Sequence, residues 1–167
     1  MAITKIQSES LNLSDNYDFT GTVTGAGESN VPAFRAWKSS DQTPSAQTQT
    51  LITFDSETFD TNNAFASNTF TVPSGEAGKY YINANINIDG AADGYKYYMY
   101  LLKNGTSYIG RGNVIQGADG EVFMNTSTII DASVGDAFTV TVWLEQSQVV
   151  NGNQLGHTYF EGFKISS

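Results

Sequence analysis

The sequence predicts an all-β sandwich or barrel, and three observations lead to that prediction. Short segments of alternating apolar and polar residues recur after residue 31, and each is closed by Gly, Asn, Asp or Pro. The alternation has a period of two, which sends successive side chains to opposite faces of a strand. No segment shows the apolar period of an amphipathic helix.

The chain divides into a polar N-terminal segment and a larger globular part. Residues 1–31 are rich in Ser, Thr, Asn, Gly and Asp, so we predict an extended attachment arm or linker there. A flexible leader that docks on nothing is the alternative. Residues 32–167 carry the strand patterns and are predicted to form one domain, because a chain of 167 residues suffices for one sizeable core.

Nine strands are predicted in the globular part. The alternation is clearest in KYYINANINID, residues 79–89, and in FTVTVWLE, residues 138–145. Asn104 and Gly105 lie between two strand patterns and predict a hairpin turn, because both central residues of such a turn need positive φ. Gly162 interrupts the last strand and is a predicted bulge position. The predicted strands span residues 32–40, 51–59, 67–74, 78–89, 94–105, 106–115, 121–131, 136–146 and 157–166.

Several strands carry apolar residues on both faces, which a single sandwich cannot bury. Residues 97–102 read YYMYLL and leave no polar face, and Phe123 is adjacent to Met124. A two-sheet sandwich has one dry interior, so these residues require a second burial surface. Self-association of the chain is the simplest way to provide it.

Composition and charge exclude several classes of protein. The net charge is −9 and the eight Lys and Arg residues are spread along the chain, so no nucleic-acid partner is expected. No run approaches the roughly 18 apolar residues of a membrane span, and the opening MAITKIQSES lacks the apolar core of a secretory leader. We therefore expect no membrane insertion. The absence of cysteine excludes disulfides, thiol catalysis and thiolate metal sites.

The order and spacing of several motifs resemble the globular head domain of the complement C1q and tumour necrosis factor superfamily. These motifs are AFRA (33–36), NTFTVPSGEAGKYYINANINI (68–88), LLKNG (101–105), VGDAFTVTV (134–142) and YFEGFKI (159–165). The resemblance covers residues 32–166. It implies a ten-strand jelly roll that forms a homotrimer around a threefold axis, with the inner sheet of each subunit facing its neighbours. It also implies that residues 78–89, 121–131 and 157–166 belong to that inner sheet.

The resemblance also implies a set of residues at the trimer interface. Three outward positions of residues 79–89 are Asn, a residue depleted in strands because its side chain competes for backbone hydrogen bonds. Three copies of these amides would meet at the axis and fix the register of the subunits through hydrogen bonds. The alternative is that the amides face water. The predicted interface residues are Tyr81, Asn83, Asn85, Asn87, Phe123, Asn125, Tyr159 and Phe163.

No catalytic group is predicted, and two tryptophans are the candidates for recognition. His157 is the only histidine, and nothing in the sequence pairs it with a nucleophile and an orienting carboxylate in a recognisable motif. We therefore expect a structural or surface role for it. Trp143 lies on the polar side of its strand, either as a subunit contact or as a platform for a sugar or partner, and Trp37 is the second candidate. The acidic loops at residues 89–94 and 117–121 could supply oxygen ligands to calcium, but turn chemistry explains them as well, and no cofactor is predicted.

A polar arm joined to a head of this class is similar to bacteriophage virion proteins, in which trimeric heads decorate capsids or tip fibres. We therefore predict a non-enzymatic virion surface protein, made in the host cytoplasm, whose residues 1–31 bind a capsid or tail protein. Two alternatives remain. One is a receptor- or glycan-binding adhesion module that recognises a host surface glycan, and the other is a glycan-degrading enzyme.

Overall fold

A computed structural model describes residues 30–166 as two antiparallel β-sheets. Most of the predicted arm, residues 1–29, and Ser167 lie outside the described residues. No helix within residues 30–166 is long and apolar enough to cross a membrane. The strands are β1 (Ala33–Trp37), β2 (Thr50–Leu51), β3 (Ser56–Asp60), β4 (Phe65–Ala66), β5 (Thr69–Thr71), β6 (Gly78–Ala91), β7 (Lys96–Lys103), β8 (Ser107–Ile115), β9 (Gly120–Ala132), β10 (Ala137–Leu144), β11 (Val149–Val150) and β12 (Tyr159–Ser166).

The strands form two sheets, which we call sheet A and sheet B. In sheet A the neighbours follow the order β9, β6, β12, β1 and β3, and the short β11 also pairs with β6. In sheet B the order is β4, β5, β10, β7 and β8, and β2 also pairs with β10. The three segments expected in one inner sheet correspond to β6, β9 and β12, and they do lie together in sheet A.

The predicted two-sheet, all-β architecture is confirmed, but residues 30–166 form twelve strands, where the pattern predicted nine and the resemblance implied ten. The additional elements include two-residue strands that are too short to leave a pattern in the sequence. The strand predicted at residues 51–59 is wrong, because its start pairs with β10 in sheet B while residues 56–60 pair with β1 in sheet A. The chain therefore crosses between the sheets inside that segment.

The core lies between the sheets, and one end of it is aromatic. Phe34 of β1 is 1% exposed and its ring centre lies 4.5 Å from that of Phe70, 5.4 Å from Phe65 and 4.9 Å from Phe160. Phe65 and Phe70 come from sheet B, so this cluster joins the two sheets. The inward positions of β6 and β10, which continue the core, are Tyr80, Ile82, Ala84, Ile86, Ile88, Phe138, Val140, Val142 and Leu144.

Two glycine predictions have different outcomes. The hairpin turn is confirmed, because Asn104 has a φ of 54° and Gly105 a φ of 71° between β7 and β8. The bulge at Gly162 is wrong, since the irregularity in β12 falls between Lys164 and Ser166. Gly162 instead permits close packing, because a Cβ there would lie 2.8 Å from the backbone oxygen of Tyr81.

The turn between β9 and β10 is held by the carboxylate of Asp136. Its Oδ2 accepts a hydrogen bond from the backbone N–H of Ser133 at 2.7 Å and lies 2.7 Å from the Lys103 ammonium. Its Oδ1 accepts a hydrogen bond from the Asn104 side chain at 2.8 Å. Burial alone would raise the pKa of Asp136, but these hydrogen bonds outweigh burial and hold that pKa below its ordinary value of 3.8.

Acidification is expected to destabilise the fold partly through Asp136. A carboxyl group whose pKa is lower in the folded chain adds stability above the unfolded pKa and loses that contribution as pH falls through the folded value. The free energy of unfolding should therefore decrease as the pH is lowered below about 4. Asp136→Asn should cost about 1–2 kcal/mol at pH 7 and flatten this acid dependence.

Chemical denaturation between pH 7 and pH 3 measures this effect. Asp131→Asn is the matched control, because the side chain of Asp131 is 80% exposed and pairs only with Lys79 at 3.0 Å. That control should keep the acid profile of the unmodified chain. An Asp136→Asn profile as steep as that of the unmodified chain would show that Asp136 does not contribute.

Candidate interaction surfaces

All eight residues predicted at the trimer interface lie on one face of sheet A. Asn85 of β6 is paired with Tyr159 of β12 on one side and with Asn125 of β9 on the other. Phe163 is likewise opposite Tyr81. Directly paired residues of antiparallel strands share a face, and the alternate residues of β6 point into the core. We call this outward side of sheet A the amide face, and its members are Tyr81, Asn83, Asn85, Asn87, Phe123, Asn125, Tyr159 and Phe163.

The amides of this face are covered within a single chain. Asn83, Asn85 and Asn87 are 6%, 8% and 0% exposed, so the alternative in which they face water is wrong. Their side-chain N–H groups donate to Glu161 Oε1 at 2.9 Å, the His157 carbonyl at 2.6 Å and the Val122 carbonyl at 3.4 Å, respectively. The amides therefore link β6 to the chain segments on either side of it, and this explains three asparagines in one strand.

The polar centre of the amide face is one connected network. Glu161 accepts a hydrogen bond from Asn83 and also pairs with Arg35, whose guanidinium lies 4.2 Å above the centre of the Tyr159 ring. The oxygen of Asn83 accepts a hydrogen bond from Asn125 at 3.1 Å. The network spans four strands, so it holds the surface in one arrangement before any partner binds.

Two buried polar atoms at one end of the amide face have no hydrogen-bond partner among residues 30–166. They are Oδ1 of Asn87 and Nδ1 of His157. The His157 ring packs edge-on against Phe123 at 5.7 Å, which is the structural role expected for this histidine. An unpaired buried polar atom costs about 1–3 kcal/mol. Both atoms are buried within the chain, so a partner surface does not reach them in this arrangement.

Exposed apolar side chains surround the polar centre. Ile129 is 65% exposed, Phe123 53% and Phe59 47%. Tyr81 and Phe163 pack together at 5.4 Å, and with Phe59 they line a shallow depression of about 180 Å³. Large apolar groups grouped on one sheet are typical of a contact surface.

The two predicted recognition residues lie on opposite sheets. Trp37 is half-buried at the end of β1, where it pairs with Tyr159 of the amide face. Trp143 lies on the outward side of sheet B and packs on Tyr98 at 5.5 Å. Trp143 therefore lies outside the amide face, and both of its predicted roles, a subunit contact or a platform for a sugar or partner, stay predictions.

A second surface on sheet B was largely missed by sequence reasoning. Tyr98 packs at 6.2 Å on Tyr100, which packs edge-on at 5.0 Å on Tyr108, and the Arg111 guanidinium lies 4.4 Å above the Tyr98 ring. The run YYMYLL signalled a second apolar face but could not show which strands would share it. We call this surface the tyrosine face, and its members are Tyr98, Tyr100, Tyr108, Arg111 and Trp143.

The acidic loops form a turn contact. Asp119 Oδ1 accepts a hydrogen bond from the backbone N–H of Asp93 at 2.8 Å. Within residues 30–166, no three His, Asp or Glu side chains are grouped closely enough to hold a metal ion.

Comparison with known proteins assigns the fold. Neither the models of known protein families nor the curated protein sequences match this chain. The globular domain of zebrafish complement 1qA protein is similar with a TM-score of 0.59 and 17% identity, over 81% of this chain and 98% of that chain. Murine APRIL is similar with a TM-score of 0.62 and 9% identity, over 80% of this chain and 98% of that chain. The fold is thus the jelly roll of C1q and TNF-family domains, as the motifs implied.

Proposed function

We propose that this protein is a non-enzymatic homotrimeric structural head, which associates through the amide face and is held on a virion surface by its N-terminal arm. The observation that carries the proposal is the ring of exposed apolar side chains around a preformed polar network on sheet A. Its most exposed members, Phe123 and Ile129, both project from β9, Phe123 opposite Asn87 and Ile129 opposite Tyr81.

Association would bury the exposed apolar side chains of the free amide face. Burying a large apolar side chain contributes about 1.5–3 kcal/mol, and Phe59, Phe123 and Ile129 are each about half exposed or more. Because the amide donors already bind within the chain, we assign the specificity of association to the shape of the amide face and to the positions of its exposed apolar side chains. The C1q and TNF-like fold supports a closed ring of three copies, in which each subunit meets its neighbours around one axis.

The virion role is supported by the organisation of the chain. The head follows 31 residues of sequence rich in Ser, Thr, Asn, Gly and Asp, which this proposal assigns to binding a capsid or tail protein. In this proposal, host-made chains trimerise through their heads and attach through their arms. The head then supplies a stable outer surface without chemistry of its own.

Phe123→Asp is expected to separate the subunits. It places a carboxylate in an apolar contact and leaves the core unchanged, because Phe123 is 53% exposed on the amide face. Light scattering should give three times the chain mass of 18.1 kDa for the unmodified protein and a single chain mass for the variant.

Tyr108→Asp is the matched control for this variant. Tyr108 is 60% exposed but lies on sheet B, so the same aromatic-to-acid change should leave the trimer intact. A single-chain mass for the unmodified protein, or an unchanged mass for Phe123→Asp, would refute association through the amide face.

The virion assignment is tested on particles. Mass spectrometry and antibody labelling in electron microscopy should find the chain on purified phage particles whose genome encodes it. Deleting residues 1–29 should remove the label from the particles while the head stays trimeric. Particles that lack the chain altogether would refute the virion role and leave the trimer proposal standing.

A further inference from the structure

The tyrosine face contains a shallow depression of about 500 Å³. It is lined by Tyr100, Tyr108, Ile109, Gly110 and Arg111. The rings of Tyr100 and Tyr108 meet at 71°, so they form two walls of a corner. Tyr108 is 60% exposed and offers most of its ring to solvent.

The exposed Tyr108 ring is held in place by hydrogen bonds. Its hydroxyl donates to Gln49 Oε1 at 3.1 Å, and Gln49 Nε2 donates to Thr141 Oγ1 at 2.9 Å. This chain of contacts joins β8 to β10, the two strands that flank β7 and its Tyr100. An aromatic side chain that is ordered in advance loses little conformational entropy when a ligand stacks on it.

Arg111 gives the depression a positive charge. Its guanidinium lies 4.4 Å from the Tyr98 ring centre and 5.7 Å from that of Tyr100. No carboxylate among residues 30–166 forms an ion pair with it, although the chain has 17 Asp and Glu residues and only 8 Lys and Arg. A guanidinium held on aromatic rings keeps its N–H donors available for a carboxylate.

We propose that the tyrosine face binds an acidic polysaccharide, with one uronic acid ring stacked in the corner of Tyr100 and Tyr108 and its carboxylate on Arg111. The C–H groups of a sugar ring carry partial positive charge and match the negative face of an aromatic ring. The Gln49 and Tyr108 polar groups lie at the edge of the depression, where sugar hydroxyls would meet them. An acidic peptide could pair with Arg111 but offers no rigid ring for the corner.

This site is independent of the proposed trimer. The tyrosine face lies on sheet B and the amide face on the outward side of sheet A, so either surface can be removed without the other. Phe123→Asp should therefore bind the sugar as the unmodified chain does. Loss of the trimer with retained sugar binding is the expected result for this variant, and loss of both would refute the independence of the two surfaces.

Titration calorimetry of the full chain with a hexamer of galacturonic acid tests the proposal. Saturable binding is expected, and raising the salt concentration should weaken it. Arg111→Gln should reduce the affinity at least tenfold and Tyr108→Ala should abolish detectable binding, while Tyr108→Phe keeps the ring and should lose only a few fold. Lys79→Gln is the matched control for charge, because Lys79 is an exposed cation on sheet A, and it should leave the affinity unchanged.

Three results would overturn the proposal. The first is no saturable binding of the hexamer by the unmodified chain at millimolar concentration. The second is equal binding of neutral maltohexaose, which would remove the role of the carboxylate. The third is equal binding of hexaglutamate that depends on Arg111, which would identify an acidic peptide as the ligand. Circular dichroism of each variant confirms that the fold is retained.

Discussion

Replacing Phe34 with alanine is expected to lower the free energy of unfolding by about 3–5 kcal/mol. Phe34 is 1% exposed and packs directly on Phe65, Phe70 and Phe160. Its removal deletes buried apolar area and leaves a cavity where β1 of sheet A meets β4 and β5 of sheet B. The three lost aromatic pairs, each worth about 0.5–1.5 kcal/mol, are included in that cost.

Chemical denaturation measures this change, in a Phe123→Asp background so that unfolding is not coupled to dissociation. Phe59→Ala is the matched control, since Phe59 lies on the neighbouring strand β3 but is 47% exposed. We expect the control to lose less than about 1 kcal/mol. Equal losses for the two variants would show that the Phe34 cluster does not hold the sheets together.

Gly162→Ala is expected to destabilise the fold by about 2–3 kcal/mol, although it adds a single methyl group. The new Cβ would lie 2.8 Å from the backbone oxygen of Tyr81, 2.8 Å from Ile82 Cδ1 and 3.0 Å from Phe34 Cε1. The first of these atoms belongs to the neighbouring strand β6 and cannot rotate away. The methyl group can be accommodated only if β12 moves away from β6.

Thermal or chemical denaturation of Gly162→Ala in the Phe123→Asp background measures the change in stability. Gly156→Ala is the matched control, because a Cβ at Gly156 meets no atom within 4 Å. The control should change stability by no more than about 0.5 kcal/mol. A Gly162→Ala chain as stable as the control would mean that the two strands have room to separate.

The local pattern of the sequence predicted which side chains share a face. Strict alternation in residues 79–89 predicted that Tyr80 and Ile82 point into the core and that Tyr81 and Asn83 lie on the opposite face of the strand. The structure shows the same division. The Asn104-Gly105 pair predicted its turn, because positive φ at two successive residues is a local preference. Such features depend on neighbours along the chain, so they can be predicted without knowing the fold.

Pairing between distant segments decided the rest. The amides of Asn83 and Asn85 bind Glu161 and the His157 carbonyl, which lie more than 70 residues away in the chain. The tyrosine face likewise combines β7, β8, β10 and the segment before β2, so only Trp143 among its members stood out in the sequence as a candidate for recognition.

By itself, the sequence determined the strand alternation, the turns and the jelly-roll class of this protein. Only the tertiary structure decided which strands became neighbours, that Gly162 serves close packing and that Arg111 lies on tyrosine rings with no acidic partner among residues 30–166. The physical reason is that alternation selects the face of each side chain locally, whereas its contacts depend on sheet register, which arises from packing over the whole chain.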